Sequence, residues 1–370
     1  FAQRSEIEIG ALPASTTHPS SGGRDQSLES ALNRAAHLLA QAQRPLIWAG
    51  GGVHGAGAWQ PLQKLAEKLQ APVVTTPEGK GALSDRHPLS LGLAELRYGP
   101  LRDWLGQRDL VLAVGTRSNV AQQLPNAQVI RIDIDPGQMG SHPRQLPLAG
   151  DAGEILRQLN EMQADVALSR AGVAAEVQAI QARRFDPALQ LQPQWDLMCA
   201  IRAALPDDAV LTQGMNQMGY YSRNYFPVYQ PRSYITASPL ATLGAAFPQA
   251  LGAKIAQPGR AVVAICGDGG FLYNAQELAT GVQHGIHVVV IVFNDNAYGN
   301  VLRAQEEQFD GRIIGTRLRN PDFVQLAQAY GARGVRAHDS AELQAALRIA
   351  LGLEALTVIE VPVGAMQREF

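Results

Sequence analysis

Two carboxylate-bearing turns carry most of the chemistry legible in this chain. The first is Gly267-Asp268-Gly269-Gly270-Phe271. The second is Asn294-Asp295-Asn296-Ala297-Tyr298-Gly299, and the 24 residues 270–293 separate the first Gly-Asp-Gly from Asn294. An aspartate between glycines offers a hard oxygen beside backbone N–H groups that no side chain screens, which suits a phosphate and the cation that accompanies it. Mg²⁺ is usually held by one or two carboxylates plus the phosphates of its ligand. Asp268 is therefore a candidate ligand, and the Asn294-Asp295 corner offers a second oxygen. A helix starting just after the first turn adds its N-terminal dipole for the same anion.

These turns need a scaffold that brings them together. The runs 261–266 and 288–293 are continuously apolar, as strands buried on both faces of a parallel sheet are, and 274–284 reads as a helix between them. That order places both turns at the carboxyl edge of one sheet, where open α/β sheets bind ligands. An ordinary strand-to-helix turn is the plain alternative. The spacing, the strand before each half and the Tyr298-Gly299 that closes the second argue against it.

The same pattern resembles the diphosphate-binding signature of thiamine diphosphate enzymes. The resemblance implies a Mg²⁺ ion held by Asp268, Asp295 and the Ala297 carbonyl, with Gly267, Gly269, Gly270, Tyr298 and Gly299 around the diphosphate. The family usually has Asn-Asn where this chain has Asn294-Asp295, so one more negative charge faces the diphosphate here.

A second patch agrees with the first. The segment 236–248 is similar to the stretch that bends the cofactor in acetolactate synthase-like members. By that resemblance Leu243 wedges between the two rings, where many relatives have Met. The Ala241 carbonyl then accepts from the 4′-amino group, and the Leu243 N–H reaches a ring nitrogen. Bending brings the 4′-nitrogen near the carbon that loses a proton, a proximity effect. The segment 212–217 follows the apolar run 209–211, and the resemblance implies that Gly214, Asn216 and Gln217 touch the diphosphate. A small-residue helix packed on a sheet is the bland alternative for the Leu243 patch.

A chain of 370 residues with 46% apolar content supports two domains with substantial cores. The net charge of −2, with no long basic run, points away from nucleic acid and anionic membranes. No apolar run reaches bilayer length and no secretory signal is legible, which makes the cytoplasm the default. Cys199 and Cys266 form no disulfide framework, and Cys266 reads as inert strand core. The histidines fall outside these motifs; His284 and His287 flank a strand as surface residues.

From Ser27 onward strands and helices alternate, with strands at 45–49, 72–76, 110–114 and 129–134 in the first half and 356–361 at the end. The fold class is α/β: two Rossmann-like domains, each a mainly parallel sheet flanked by helices. Residues 1–26 read as a linker or the remnant of a preceding domain, with Ile7-Glu8-Ile9 as its last strand. Residues 27–165 form the central domain, 166–190 an interdomain linker, 191–363 the diphosphate-binding domain and 364–370 a tail. The first half also resembles the central domain of the acetolactate synthase, pyruvate oxidase and 2-oxo acid decarboxylase family. Gly79-Lys80-Gly81-Ala82-Leu83 and Ile132-Asp133-Ile134-Asp135-Pro136 carry that likeness. Some members hold FAD there. The Gly50-Gly51-Gly52 turn could approach a pyrophosphate, with Arg97 or Arg117 as its partner, but it is not Gly-x-Gly-x-x-Gly. A scaffold is preferred over FAD, and the missing fingerprint also opposes an NAD-binding protein.

The resemblance implies ThDP- and Mg²⁺-dependent conversion of a 2-oxo acid by decarboxylation, with or without carboligation. It also implies a homo-oligomer, dimer or tetramer, with sites between subunits. The family's proton-relay glutamate comes from an N-terminal pyrimidine-binding domain, and this chain begins beyond where that domain ends. A fragment is the preferred explanation, and a non-catalytic relative is the rival. In acetolactate synthases an aromatic residue follows the glutamine of the helix after Tyr-Gly; here Glu306 follows Gln305. That departure favours a decarboxylase of a larger or polar substrate as a further alternative, with Arg303 or Gln305 meeting its tail.

Overall fold

A computed structural model describes residues 26–367, apart from 95, 97–98, 140–141, 164–171 and 238–239. The expected linker at 1–25 with its Ile7-Glu8-Ile9 strand, the candidate Arg97, Ser238-Pro239 of the wedge patch and the last three tail residues lie outside the described residues. The first sheet comprises β1 (Pro45–Ala49), β2 (Val73–Thr75), β3 (Ser90–Leu93), β4 (Leu110–Val114), β5 (Gln128–Asp133) and β6 (Gln145–Ala149), in the order β3-β2-β1-β4-β5-β6. The second comprises β7 (Val210–Gln213), β8 (Tyr234–Thr236), β9 (Val262–Gly267), β10 (Val289–Asn294), β11 (Arg333–Arg336) and β12 (Thr357–Pro362), in the order β11-β12-β10-β9-β7-β8. Every strand pairing in both is parallel.

The interior strands are buried along all or nearly all of their length, as Pro45–Ala49, Leu110–Val114 and Val289–Asn294 illustrate. Alternate residues of each strand feed opposite faces. Ile47, Leu112 and Ile130 meet Leu62, Leu65 and Leu69 of the helix Trp59–Leu69 on one face of the first sheet. Trp48, Val111 and Val129 meet Leu101, Trp104 and Leu105 on the other. A fully buried Leu contributes about 1.5–3 kcal/mol, so three on one helix face are enough to hold that helix down. The second sheet repeats the scheme, with Ile265 and Ile291 on one face and Ala264, Val290 and Cys266 on the other. Both cysteines are free, and Cys266 is buried as its sequence context implied.

All eight strands expected within the described residues are present, with ends shifted by a few residues; β7, for example, continues through Thr212 and Gln213, which read as loop. The four strands that were not expected are β3, β6, β8 and β11, and these are the four edges of the two sheets. An edge strand needs no apolar run and tolerates proline, as Pro147 in β6 illustrates. The helix Val173–Arg184, inside the stretch expected as a linker, is packed: Val177 is buried, and Arg184 donates to Leu91 O (2.6 Å), Leu93 O (3.1 Å) and Asn224 O (3.1 Å). It ties the two halves together, as does Asp85, whose carboxylate accepts from Val228 N at 2.8 Å. No helix among the described residues is long and apolar enough to cross a membrane.

Strand order reverses direction between β1 and β4 in the first sheet and between β7 and β9 in the second. Such switch points open a crevice beyond the carboxyl ends of the strands.

Candidate active site

The crevice of the second sheet is built from the turns after β7, β9 and β10. Gly214, just past β7, donates to Ile265 O at 2.9 Å, which ties the β7 turn to β9. Strand β9 ends at Gly267 in extended conformation, and Asp268 opens the short helix Asp268–Leu272. After β10 the chain turns at Asn296, whose φ is 56°. The turn is held from outside by residues 316–318: Tyr298 N donates to Thr316 O and Leu318 N to Asn296 O, both at 2.8 Å.

These turns enclose a cleft of about 260 Å³. Twelve residues singled out in the sequence line it: Asn216, Gln217, Ala241, Leu243, Gly267, Asp268, Gly269, Gly270, Asp295, Ala297, Tyr298 and Gly299. Gly214 does not; it sits behind the wall, where a Cβ would lie 3.0 Å from Ile265 O. Asn216 reaches the cleft, but its side-chain oxygen caps the helix Gln217–Tyr225 by accepting from Gly219 N at 2.9 Å. The Gln217 amide donates to Asn300 Oδ1. Ala241 adopts a left-handed φ of 50°. The glycines divide by function. A Cβ on Gly269 would stand 2.4 Å from a Tyr298 ring carbon, whereas one on Gly270 would meet nothing closer than 3.9 Å.

Sequence spacing did not expose Met215, Phe293, Val363 and Met366, which form an apolar wall. The last two follow β12, far along the chain, and no motif links them to the turns. Arg303 and Gln305 are not part of the lining. Arg303 donates to Met366 O, and Gln305 bonds Ile314 O (3.0 Å) and Thr316 Oγ1 (2.9 Å), so both hold loops of their own chain.

Asp268 is 2% exposed, and burial raises its carboxyl above the usual range, against the pull of N–H groups and of Asn320. Burial and the charge of Asp268 together push Asp295 up to about 6. Among the described residues no ion pair involves either one. Asn320, to which no sequence motif points, donates its amide to Asp268 Oδ2 (2.6 Å) and Asn294 Oδ1 (2.8 Å). A buried and a half-buried carboxylate without an ion-pair partner among the described residues, beside glycine backbone, fit a divalent cation bound with a diphosphate. The described residues hold no cluster of three His, Cys, Asp or Glu ligands. The pair therefore suits Mg²⁺, which takes its remaining ligands from phosphate and water, better than a metal held by protein alone.

The crevice of the first sheet is larger, about 470 Å³, and is lined by Gly51, Gly52, Glu78, Thr116, Arg117, Asp133 and Asp151 among others. Two of the glycines at this turn are required by packing. A Cβ on Gly50 would lie 2.3 Å from Gly115 O, and one on Gly52 2.6 Å from Gly115 Cα. Glu78, Asp133 and Asp151 line this crevice together with Arg117.

Two doubly wound parallel sheets, one carrying a paired-carboxylate crevice, define a two-domain α/β cofactor-binding protein. The chain belongs to the thiamine pyrophosphate enzymes: residues 32–159 match the family's central domain and residues 214–361 its C-terminal TPP binding domain. A probable 2-ketoarginine decarboxylase of Pseudomonas aeruginosa is 36% identical over 369 residues, covering 96% of this chain and 65% of that protein. A probable acetolactate synthase large subunit of Methanocaldococcus jannaschii is 32% identical over 369 residues, covering 94% and 62%. The acetolactate synthase isozyme 3 large subunit of Escherichia coli is 31% identical over 339 residues, covering 86% and 59%. The chain thus spans about three-fifths of the length of these relatives.

Proposed function

We propose that this chain supplies the diphosphate- and cation-binding part of an enzyme that uses thiamine diphosphate and Mg²⁺ to decarboxylate a 2-oxo acid, with or without carboligation. The observation that carries this reading is the pair of carboxylates, buried Asp268 and half-buried Asp295, that line one glycine-edged cleft. Asp268, Asp295 and the Ala297 carbonyl would hold Mg²⁺. Gly267, Gly269 and Gly270 leave backbone N–H groups open to the diphosphate, and Leu243 with Ala241 supports the aminopyrimidine. When bound, thiamine diphosphate supplies the nucleophilic carbon and the electron sink for loss of CO₂. Met215, Phe293, Val363 and Met366 keep water from that region, which strengthens the electrostatic interactions inside it.

Decarboxylation is the preferred outcome. The aromatic residue of acetolactate synthases is missing after Gln305, and a relative at 36% identity is named for a decarboxylase. A polar substrate tail held by Arg303 or Gln305 is not favoured, since both side chains already bind loops of this chain. A homo-oligomer is the expected assembly, and the cytoplasm suits two free thiols.

The test is CO₂ release from a panel of 2-oxo acids in the presence of Mg²⁺ and thiamine diphosphate. Release that stops when either is withheld, with one acid clearly preferred, would show that the proton-relay glutamate is supplied and would name the substrate class. Cofactor binding without release from any acid would support the half-site reading, and the same assay with a pyrimidine-binding domain supplied would separate a fragment from a non-catalytic relative.

A further inference from the structure

The Asn320 amide belongs to a closed ring of polar side chains that begins and ends at the candidate cation site. Asn320 donates to Asp268 and to Asn294 Oδ1. Asn294 donates in turn to Glu360 Oε1 at 2.8 Å. Glu360, 4% exposed, accepts from Arg336 at 2.9 and 2.8 Å. Arg336 also pairs with Asp322 Oδ2 at 3.0 Å. Asp322 stands two residues beyond Asn320, across Pro321, and caps the helix Phe323–Ala329 by accepting from Gln325 N at 3.0 Å. The ring fixes Asn320 from both sides although the residue lies in neither helix nor strand. Its own Oδ1 is buried and has no partner, so the amide group works here as a donor alone.

A carboxylate that must offer one oxygen to a cation is best presented when its other oxygen is already held. A charge-assisted hydrogen bond does this and offsets the cost of burying the charge. We infer that Asn320 is a positioning residue of the cation site, orienting the Asp268 carboxylate through its amide and drawing its own rigidity from the Asn294–Glu360–Arg336–Asp322 ring. The inference rests on the cation reading proposed above.

The test is Mn²⁺ binding to the full chain, read by electron paramagnetic resonance in the presence of saturating thiamine diphosphate. Asn320→Ala and the volume-matched Asn320→Leu are compared with wild type and with Asp268→Ala. Loss of a partner that orients a metal ligand typically costs about 10–100-fold in affinity. That loss is expected in both Asn320 variants, with an altered Mn²⁺ spectrum and a melting temperature close to wild type. Mn²⁺ affinity within about twofold of wild type in both variants overturns the inference, as does affinity retained by Asn320→Leu alone, which would mean the residue only fills space. A wild-type chain that binds no Mn²⁺, or an Asp268→Ala variant that binds it normally, sinks the cation reading itself and this inference with it.

Discussion

The two crevices occupy the same place in the same architecture, yet their glycines and carboxylates are engaged differently. Each lies at the switch point of a six-stranded parallel sheet and each is edged by glycines. At the first, Gly50 and Gly52 face Gly115 so closely that no side chain fits. Its carboxylate Asp133 is already paired with Arg131 at 3.3 Å. In the second, Gly270 faces open space, and Asp268 and Asp295 have no ion-pair partner among the described residues. Topology supplies a crevice in both cases. The difference lies in how far the backbone and the charges have found partners within the chain.

The comparison can be broken most directly at the carboxylates. Asp268→Ala should weaken Mg²⁺-dependent thiamine diphosphate binding by more than about 100-fold, since it removes a metal ligand and not merely a neighbour of one. Asp133→Ala should leave that binding unchanged and cost only stability, by stranding the buried Arg131. A calorimetric titration in which the two variants behave alike would erase the distinction between the crevices.

The glycines sharpen the contrast. A Cβ on Gly79 would lie 2.2 Å from Ala49 O, which is backbone and cannot yield. Gly79→Ala should therefore destabilise the chain by about 1–3 kcal/mol or more without touching the cofactor. Gly270→Ala should melt at or slightly above wild type, because Ala suits a helix better than Gly, while losing roughly tenfold in cofactor affinity as its methyl enters the cleft. Thermal melts paired with binding isotherms separate the two outcomes; a Gly270→Ala variant with unchanged affinity would place the diphosphate elsewhere.

The smallest effect concerns Asp295. Its folded-state pKa of about 6 is above the unfolded value, so the folded chain holds that proton more tightly. Stability from this group is therefore greatest below about pH 4 and is lost as pH rises towards 6, with the deficit persisting at pH 7. Asp295→Asn should raise the melting temperature of the cation-free chain by a few degrees at pH 7 and lose that advantage near pH 4. An equal gain at both pH values would show that charge is not the cause.

Much of this was legible in the residues, and the parts that were not share a physical cause. The eight interior strands are buried on both faces, which demands an unbroken apolar run that can be read off directly. The four edges are free of that demand: β11 is Arg-Gly-Val-Arg with both arginines exposed, and β6 contains a proline. In the site, the carboxylates and glycines could be read because each sits within a few residues of a strand end. Met366, Val363 and Asn320 reach the same cleft or its rim from distant segments, and no local spacing marks them. Arg303 and Gln305 illustrate the converse. Their charge and polarity suggested a substrate contact, but nearby carbonyl groups had already claimed them.

Residue order alone therefore set the fold class, the two parallel sheets, the turn that carries Asp268 and its kinship with thiamine diphosphate enzymes. These follow from local rules: strand burial, glycine backbone access and the reach of a carboxylate from a strand end. Only the tertiary structure decided which residues line each crevice, that Asp295 lies close enough to Asp268 to feel its charge, and that Asn320 grips the latter. Those properties depend on distances between segments remote in sequence. Burial, charge repulsion and hydrogen-bond partnership are set by such distances and by nothing a single stretch of chain can encode.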